Sequence, residues 1–115
     1  MSRAGAAAPP RPHRNEVLLV GRLENEPAER QLASGDAVVT FRLHVTRDAE
    51  AGEGGADSFD CTVRGTRLRR AALGWAVGDV VEAAGTLRRR FHRVGAASRP
   101  FHVVEVDRAR RLSRG

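Results

Sequence analysis

The 115 residues (12.5 kDa) suffice for one domain with its own core and fall short of the length at which chains split in two. A formal charge of +6 and a pI near 11.4 rest on arginine alone, because the chain has no lysine. One cysteine, Cys61, excludes an intrachain disulfide and a paired-thiolate metal motif, and without a run of 18 apolar residues no membrane-spanning helix is expected.

Residues 1–14, MSRAGAAAPPRPHR, are rich in Ala, Pro and Arg without an apolar period, which reads as a flexible arm; they also lack the apolar core of a secretion signal. NEVLLVGRLEN is then a first strand, apolar on both faces from Leu18 to Val20, with Gly21 placed where a barrel strand would bend. AERQLASGDA carries a turn at Ser34-Gly35-Asp36. AVVTFRLHVTRD alternates as a second, half-buried strand: Val39, Phe41, Leu43 and Val45 point inward, and Thr40, Arg42, His44 and Thr46 outward. AEAGEGGAD, residues 49–57, is acidic, glycine-rich and aperiodic, a mobile loop whose glycines do not open a helix as a phosphate cradle would. SFDCTVRG is a third strand with Phe59, Cys61 and Val63 inward.

The period changes in TRLRRAALGWAVGD. Leu68, Ala71, Ala72 and Trp75 fall at i, i+3, i+4 and i+7, the stripe of a short amphipathic helix stopped by Gly78. DVVEAAGTLRRRFHR is a fourth strand that begins buried and ends cationic, VGAAS a turn, and RPFHVVEVDRARRL a fifth strand, so the last two make an extended hairpin. The predicted class is mainly all-β: five strands with one short helix between the third and fourth, the order of an OB-fold barrel. The expected organisation is an arm over 1–14, the barrel domain over 15–112 and a C-terminal end over 113–115.

Several segments resemble the bacterial single-stranded DNA-binding protein family, over about residues 15–112. NEVLLVGRL, followed by Glu26-Pro27, is similar to the family's opening strand Asn-x-Val-x-Leu-x-Gly-x-Leu with its acidic-Pro dipeptide. SGDAVVTFRLHV resembles the second strand after its Gly turn, and GDVVEAAGTLRRRF the signature Gly-Asp-x-Val-x-x-x-Gly-x-Leu-Arg. The resemblance implies an OB-fold that binds single-stranded DNA without sequence preference in replication, recombination and repair. It also implies a homo-oligomer, dimer or tetramer, whose first strands pair through Glu16, Val17, Leu18 and Val20, and a cytoplasmic place on the nucleoid. Two departures stand out. Arg64 occupies the place where relatives often carry a third-strand aromatic, and the final RARRLSRG is not the acidic, Phe-ending tail through which many relatives recruit enzymes, so that recruitment is not expected.

The charge is uneven: residues 1–60 hold seven arginines against ten acids, and 61–115 thirteen against four. A polyanion would meet the second half. On the fourth strand Arg88, Arg90 and His92 alternate with Arg89, Phe91 and Arg93, and an arm that projects beyond a barrel exposes both sides. Cations that track a backbone, with flat rings for bases, are what sequence-independent strand binding requires. Arg42, His44 and Arg64 belong to the outer sheet face, and a guanidinium can both stack on a base and reach phosphate. Arg47 and Arg99 stand near loop bases. Arg67, Arg69 and Arg70 read as the solvated side of the helix; Trp75, Phe41, Phe59 and Cys61 read as core; Phe101 fits either place.

Catalysis has no positive signal. No histidines have ligand spacing, no acids are paired, and neither a cofactor nor a metal site is expected. Two other readings remain open: an OB-fold protein-interaction or primosome accessory module, and an RNA-binding OB domain.

Overall fold

The computed structural model describes residues 13–48 and 54–115. Six strands and one helix follow in the order β1 (Val17–Leu23), β2 (Ala28–Gln31), β3 (Ala37–Thr46), β4 (Ala56–Val63), α1 (Thr66–Leu73), β5 (Val80–Val94) and β6 (Ala97–Ser113). The five long strands close a ring, β1–β5–β6–β4–β3, through the pairing of Arg22 and Leu23 on β1 with His44 and Leu43 on β3. All pairings are antiparallel except β4–β6. This is the predicted barrel. The addition is β2, four exposed residues paired to the first half of β3, in a stretch read as a turn alone. AERQ has no apolar alternation, and its strand conformation comes from the hairpin that the Ser34–Asp36 turn closes.

Alternation carries the core. Val39, Phe41 and Leu43 of β3, Cys61 and Val63 of β4, Val81 and Ala83 of β5, and Val104 and Val106 of β6 meet inside. Phe41 packs edge-on against Trp75, with ring centroids 5.5 Å apart. Desolvation pushes the buried Cys61 thiol up to about 12. Phe59, expected in the core, is only half-buried. Val38, of outward parity, is nevertheless buried at 2% exposure, because the β2 hairpin gives the outer face a cover there.

The helix is shorter than its apolar stripe. Gly74 ends it, its N–H bonding to the Ala71 carbonyl, so Gly78 is not the stop and Trp75 reaches the core from the segment beyond. Ala71, assigned to the stripe, is exposed, whereas Ala72 is fully buried. Gly78, at φ +94°, instead turns the chain into β5 and donates to the Leu23 carbonyl. Asp79 caps this turn, accepting from the N–H groups of Ala76 and Gly115 at 2.9 Å each, with Arg111 at 3.5 Å. Those bonds hold its carboxyl below the usual aspartate range.

Gly21 and Gly85 permit two close approaches. A Cβ on Gly21 would stand 2.7 Å from the His44 carbonyl, where β1 crosses onto β3 to close the ring. On Gly85 it would overlap the Glu105 carbonyl, beside the bulge that inserts Asp107 into β6. Beyond that bulge β5 and β6 continue as a two-stranded arm to a two-residue turn, Gly95-Ala96, shorter than the five-residue turn expected. Gly95 has φ +63°, as the first central position of a type II′ turn requires. At the base of the arm the Asn15 side chain donates to the Leu87 carbonyl (2.8 Å) and accepts from its N–H (2.9 Å), as a strand neighbour would. The expected arm over 1–14 lies outside the described residues apart from His13 and Arg14, and the expected mobile loop lies outside them over 49–53; Ala56 and Asp57 belong to β4.

Candidate nucleic-acid interface

With odd residues of β3 and β4 inside, their even residues face out: Thr40, Arg42 and His44 on β3, and Asp60 and Thr62 on β4. The parallel β4–β6 ladder puts Glu105 beside Thr62. The β5–β6 register continues the surface into the arm, with Arg88 opposite Val103, Arg90 opposite Phe101 and His92 opposite Arg99. Five strands thus contribute to one outer face, from β2 to β5.

A groove of about 400 Å³ runs across that face. Val38, Thr40, Thr62 and Val103 line it together with Arg30 and Leu32 from the β2 hairpin and with Arg64, Arg90, Phe91 and Phe101. A second depression shares Arg30, Thr40, Phe101 and Val103 and extends to Asn25, Arg42 and Asp60, so the two make a continuous track. The lining is partly apolar, bordered by guanidinium groups and provided with exposed phenyl rings. Flat apolar bases and charged phosphates need that combination.

Arg64, just past β4, reaches Glu105 at 3.2 Å and Asp36 at 4.0 Å. Arg88 and Arg90 reach the same Glu105 at 3.5 and 3.0 Å. One carboxylate on β6 therefore gathers three arginines from two other segments. His92 packs edge-on against Phe101, with centroids 5.6 Å apart at 70°. The Arg89 guanidinium lies 4.9 Å from the centre of the Phe91 ring, a cation–π contact on a ring that also lines the groove. Arg93 and Arg99 are exposed near the tip.

Arg42 and His44 stand apart from this group. Arg42 lies between Asp60 (2.9 Å) and Glu24 (3.7 Å). Asp60 first, by hydrogen bond and charge, and then Glu24 raise its pKa above the ordinary arginine value. His44 is 3.7 Å from the same Glu24. These acids already compensate the far end of the track. Arg47 is likewise held by Asp57 at 2.7 Å, and Arg69 by Glu29 at 2.8 Å.

Of the four interface candidates, Leu18 and Val20 are 66% and 46% exposed, Val17 packs partly on the core, and Glu16 is exposed beside Arg14. β1 pairs with β5 from Val17 to Arg22 but with β3 only at Arg22 and Leu23. Its other edge from Val17 to Gly21 is unpaired among the described residues.

Sequence reasoning missed Arg30, because β2 was not foreseen, and Glu105; Phe101, left open, belongs to the groove. A tighter turn assignment would have found two of these. With Val94 opposite Ala97, counting back along both strands places Arg90 against Phe101 and Thr86 against Glu105. Among the described residues no three His, Cys, Asp or Glu side chains are grouped to hold a metal, and no helix is long and apolar enough to cross a membrane.

Residues 14–106 match the model of the single-strand binding protein family. The chain is 34% identical over 95 residues to single-stranded DNA-binding protein A of Bacillus subtilis, covering 81% of this chain and 55% of that one. It is 45% identical over 94 residues to a single-stranded DNA-binding protein of Enterococcus faecalis, covering 80% and 50%. It thus spans about half the length of these curated relatives. The solved structure of the Plasmodium falciparum SSB complex with ssDNA superposes with a TM-score of 0.75 over 90% of this chain and 98% of that one, at 20% identity, which is a likeness of fold.

Proposed function

Because this chain belongs to the single-strand binding protein family, we propose that it coats single-stranded DNA without sequence preference in replication, recombination and repair, as a binding protein and not an enzyme. One observation carries the reading: the groove joins an apolar lining and exposed Phe101 to Arg30, Arg64 and Arg90, on the fold of a protein solved with single-stranded DNA. Arg88, Arg89, Arg90, Arg93 and Arg99 displace counterions from phosphates along the arm, while Phe101, His92 and Phe91 meet bases. Arg42 and His44, compensated by acids, contribute less.

The same proposal includes self-association through β1, whose edge away from β5 is unpaired among the described residues from Val17 to Gly21 and, with Leu18 and Val20 exposed, offers both backbone groups and apolar surface to a second copy. Its expected place is the cytoplasm, on the nucleoid. Light scattering of the full chain should give at least twice the 12.5 kDa chain mass; a monomer would remove the oligomer from the proposal.

The deciding test is fluorescence anisotropy of labelled oligo-dT titrated with the full chain at several salt concentrations. Log affinity should fall linearly with log salt, by about 0.7 per phosphate contacted. Salt-independent binding, or none at low salt, would overturn the reading, and a matched RNA oligomer bound more tightly would reassign the ligand.

A further inference from the structure

The Glu105 carboxylate lies inside the surface that the proposed function assigns to a polyanion. It is 25% exposed, and its oxygens stand 3.2 Å from Arg64, 3.5 Å from Arg88 and 3.0 Å from Arg90. Arg64 and Arg90 line the groove, and Arg88, two residues before Arg90 on β5, faces out beside it. We infer that Glu105 is a built-in competitor for phosphate: it holds these three guanidinium groups in the free protein, and a DNA strand has to replace it.

The inference rests on the groove's being the DNA site. Its physical basis is that charge-assisted hydrogen bonds to a guanidinium are directional and limited in number. While Arg64 and Arg90 donate to Oε2 of Glu105, those N–H groups are not free for a phosphate oxygen. The carboxylate stays on its strand when a phosphate takes its place, and there it repels the newcomer. A mobile anion, by contrast, leaves and adds the entropy of its release. Glu105 should therefore lower both the affinity and the salt slope below what the same arginines would give alone. It also keeps three like charges together in the free protein, where exposed guanidinium groups would otherwise repel one another.

The test compares the parent chain with Glu105→Gln, which preserves shape and removes charge, and with Glu29→Gln. The latter makes the same change in net charge on the opposite face of β2, where Glu29 pairs with Arg69 of the helix. With labelled oligo-dT, Glu105→Gln should bind about three- to fivefold tighter at low salt, the effect of removing one partly exposed charge. Its log–log salt plot should be steeper by about one unit and converge on the parent at high salt, where screening removes the difference. Glu29→Gln should follow the parent. Unchanged or weaker binding by Glu105→Gln in a chain that still melts cooperatively overturns the inference, and so does an equal gain in Glu29→Gln. No oligo-dT binding by the parent would overturn the functional reading itself, and the inference with it.

Discussion

Phe101→Ala separates stacking from charge. The ring is 40% exposed, opposite Arg90 on the outer face of the arm, in an edge-on contact with His92 at 5.6 Å between ring centroids. It lies outside the buried core cluster, so its removal leaves the barrel intact. A base stacked on an aromatic ring contributes about 1–3 kcal/mol, or roughly 5- to 150-fold in affinity. His92 already orients this ring, so little ordering cost is added on binding, and we expect about 10- to 30-fold weaker binding. No charge changes, so the salt slope should stay the same. Anisotropy of labelled oligo-dT at three salt concentrations gives parallel lines offset by that factor. A loss below about twofold at every salt concentration, or a slope changed by about one unit, would refute the assignment of Phe101 to bases.

Arg88→Gln, Arg90→Gln and Arg93→Gln together should do the reverse: binding weakens at low salt, the slope flattens by about two units, and the lines converge at high salt. Equal slopes would show that the arm is not the phosphate track. Gly85→Ala forces a Cβ into the Glu105 carbonyl and should destabilise the chain by about 1–3 kcal/mol, read as a lower urea midpoint with unchanged m-value; an unshifted midpoint would contradict the tight packing at the root of the arm. Asp79 gives a pH signature. Its native pKa is lowered by the Ala76 N–H, then the Gly115 N–H and then Arg111, so its stabilisation is fully present above the ordinary value of 3.8 and is lost as pH falls through the lower native value. Asp79→Asn should lower the melting temperature at neutral pH and remove that part of the acid dependence, and a variant that melts like the parent at pH 7 would place no weight on this cap.

The barrel was legible because its strands keep their alternation. Phe41, Leu43, Cys61 and Val63 face inward as the pattern requires, and the helix announced itself through Leu68 and Ala72. What escaped has physical causes. β2 has no apolar face and exists only as the partner of β3, so no periodicity reported it. The helix stop was misplaced because Trp75 continues a 3.6-residue stripe that the backbone abandons at Gly74. Within the site, strand parity sorted Arg88, Arg90 and His92 from Arg89, Phe91 and Arg93, but parity does not reveal cross-strand neighbours. Register does, and it depends on the length of one turn. Reading VGAAS as the whole turn hid that Glu105 lies beside the arginines and that Phe101 lies opposite Arg90.

That register also decides how binding divides between rings and charges. Of the four phenylalanines and one tryptophan, Phe41 and Trp75 are buried against each other and Phe59 is half-buried, which leaves Phe91 and Phe101 exposed. Two rings at one groove offer only a short stacking surface, and Arg89 already covers one face of Phe91. A site so short of rings has to draw most of its affinity from phosphate contacts, and arginine suits this better than lysine because its flat fork can grip phosphate and lie on a base. On the proposed reading, therefore, each arginine counts twice, and affinity should be unusually sensitive to salt and to any fixed anion among those arginines. Glu105 is such an anion, set where Arg64, Arg88 and Arg90 converge, which makes a single carboxylate the strongest local brake on a surface built mainly from charge.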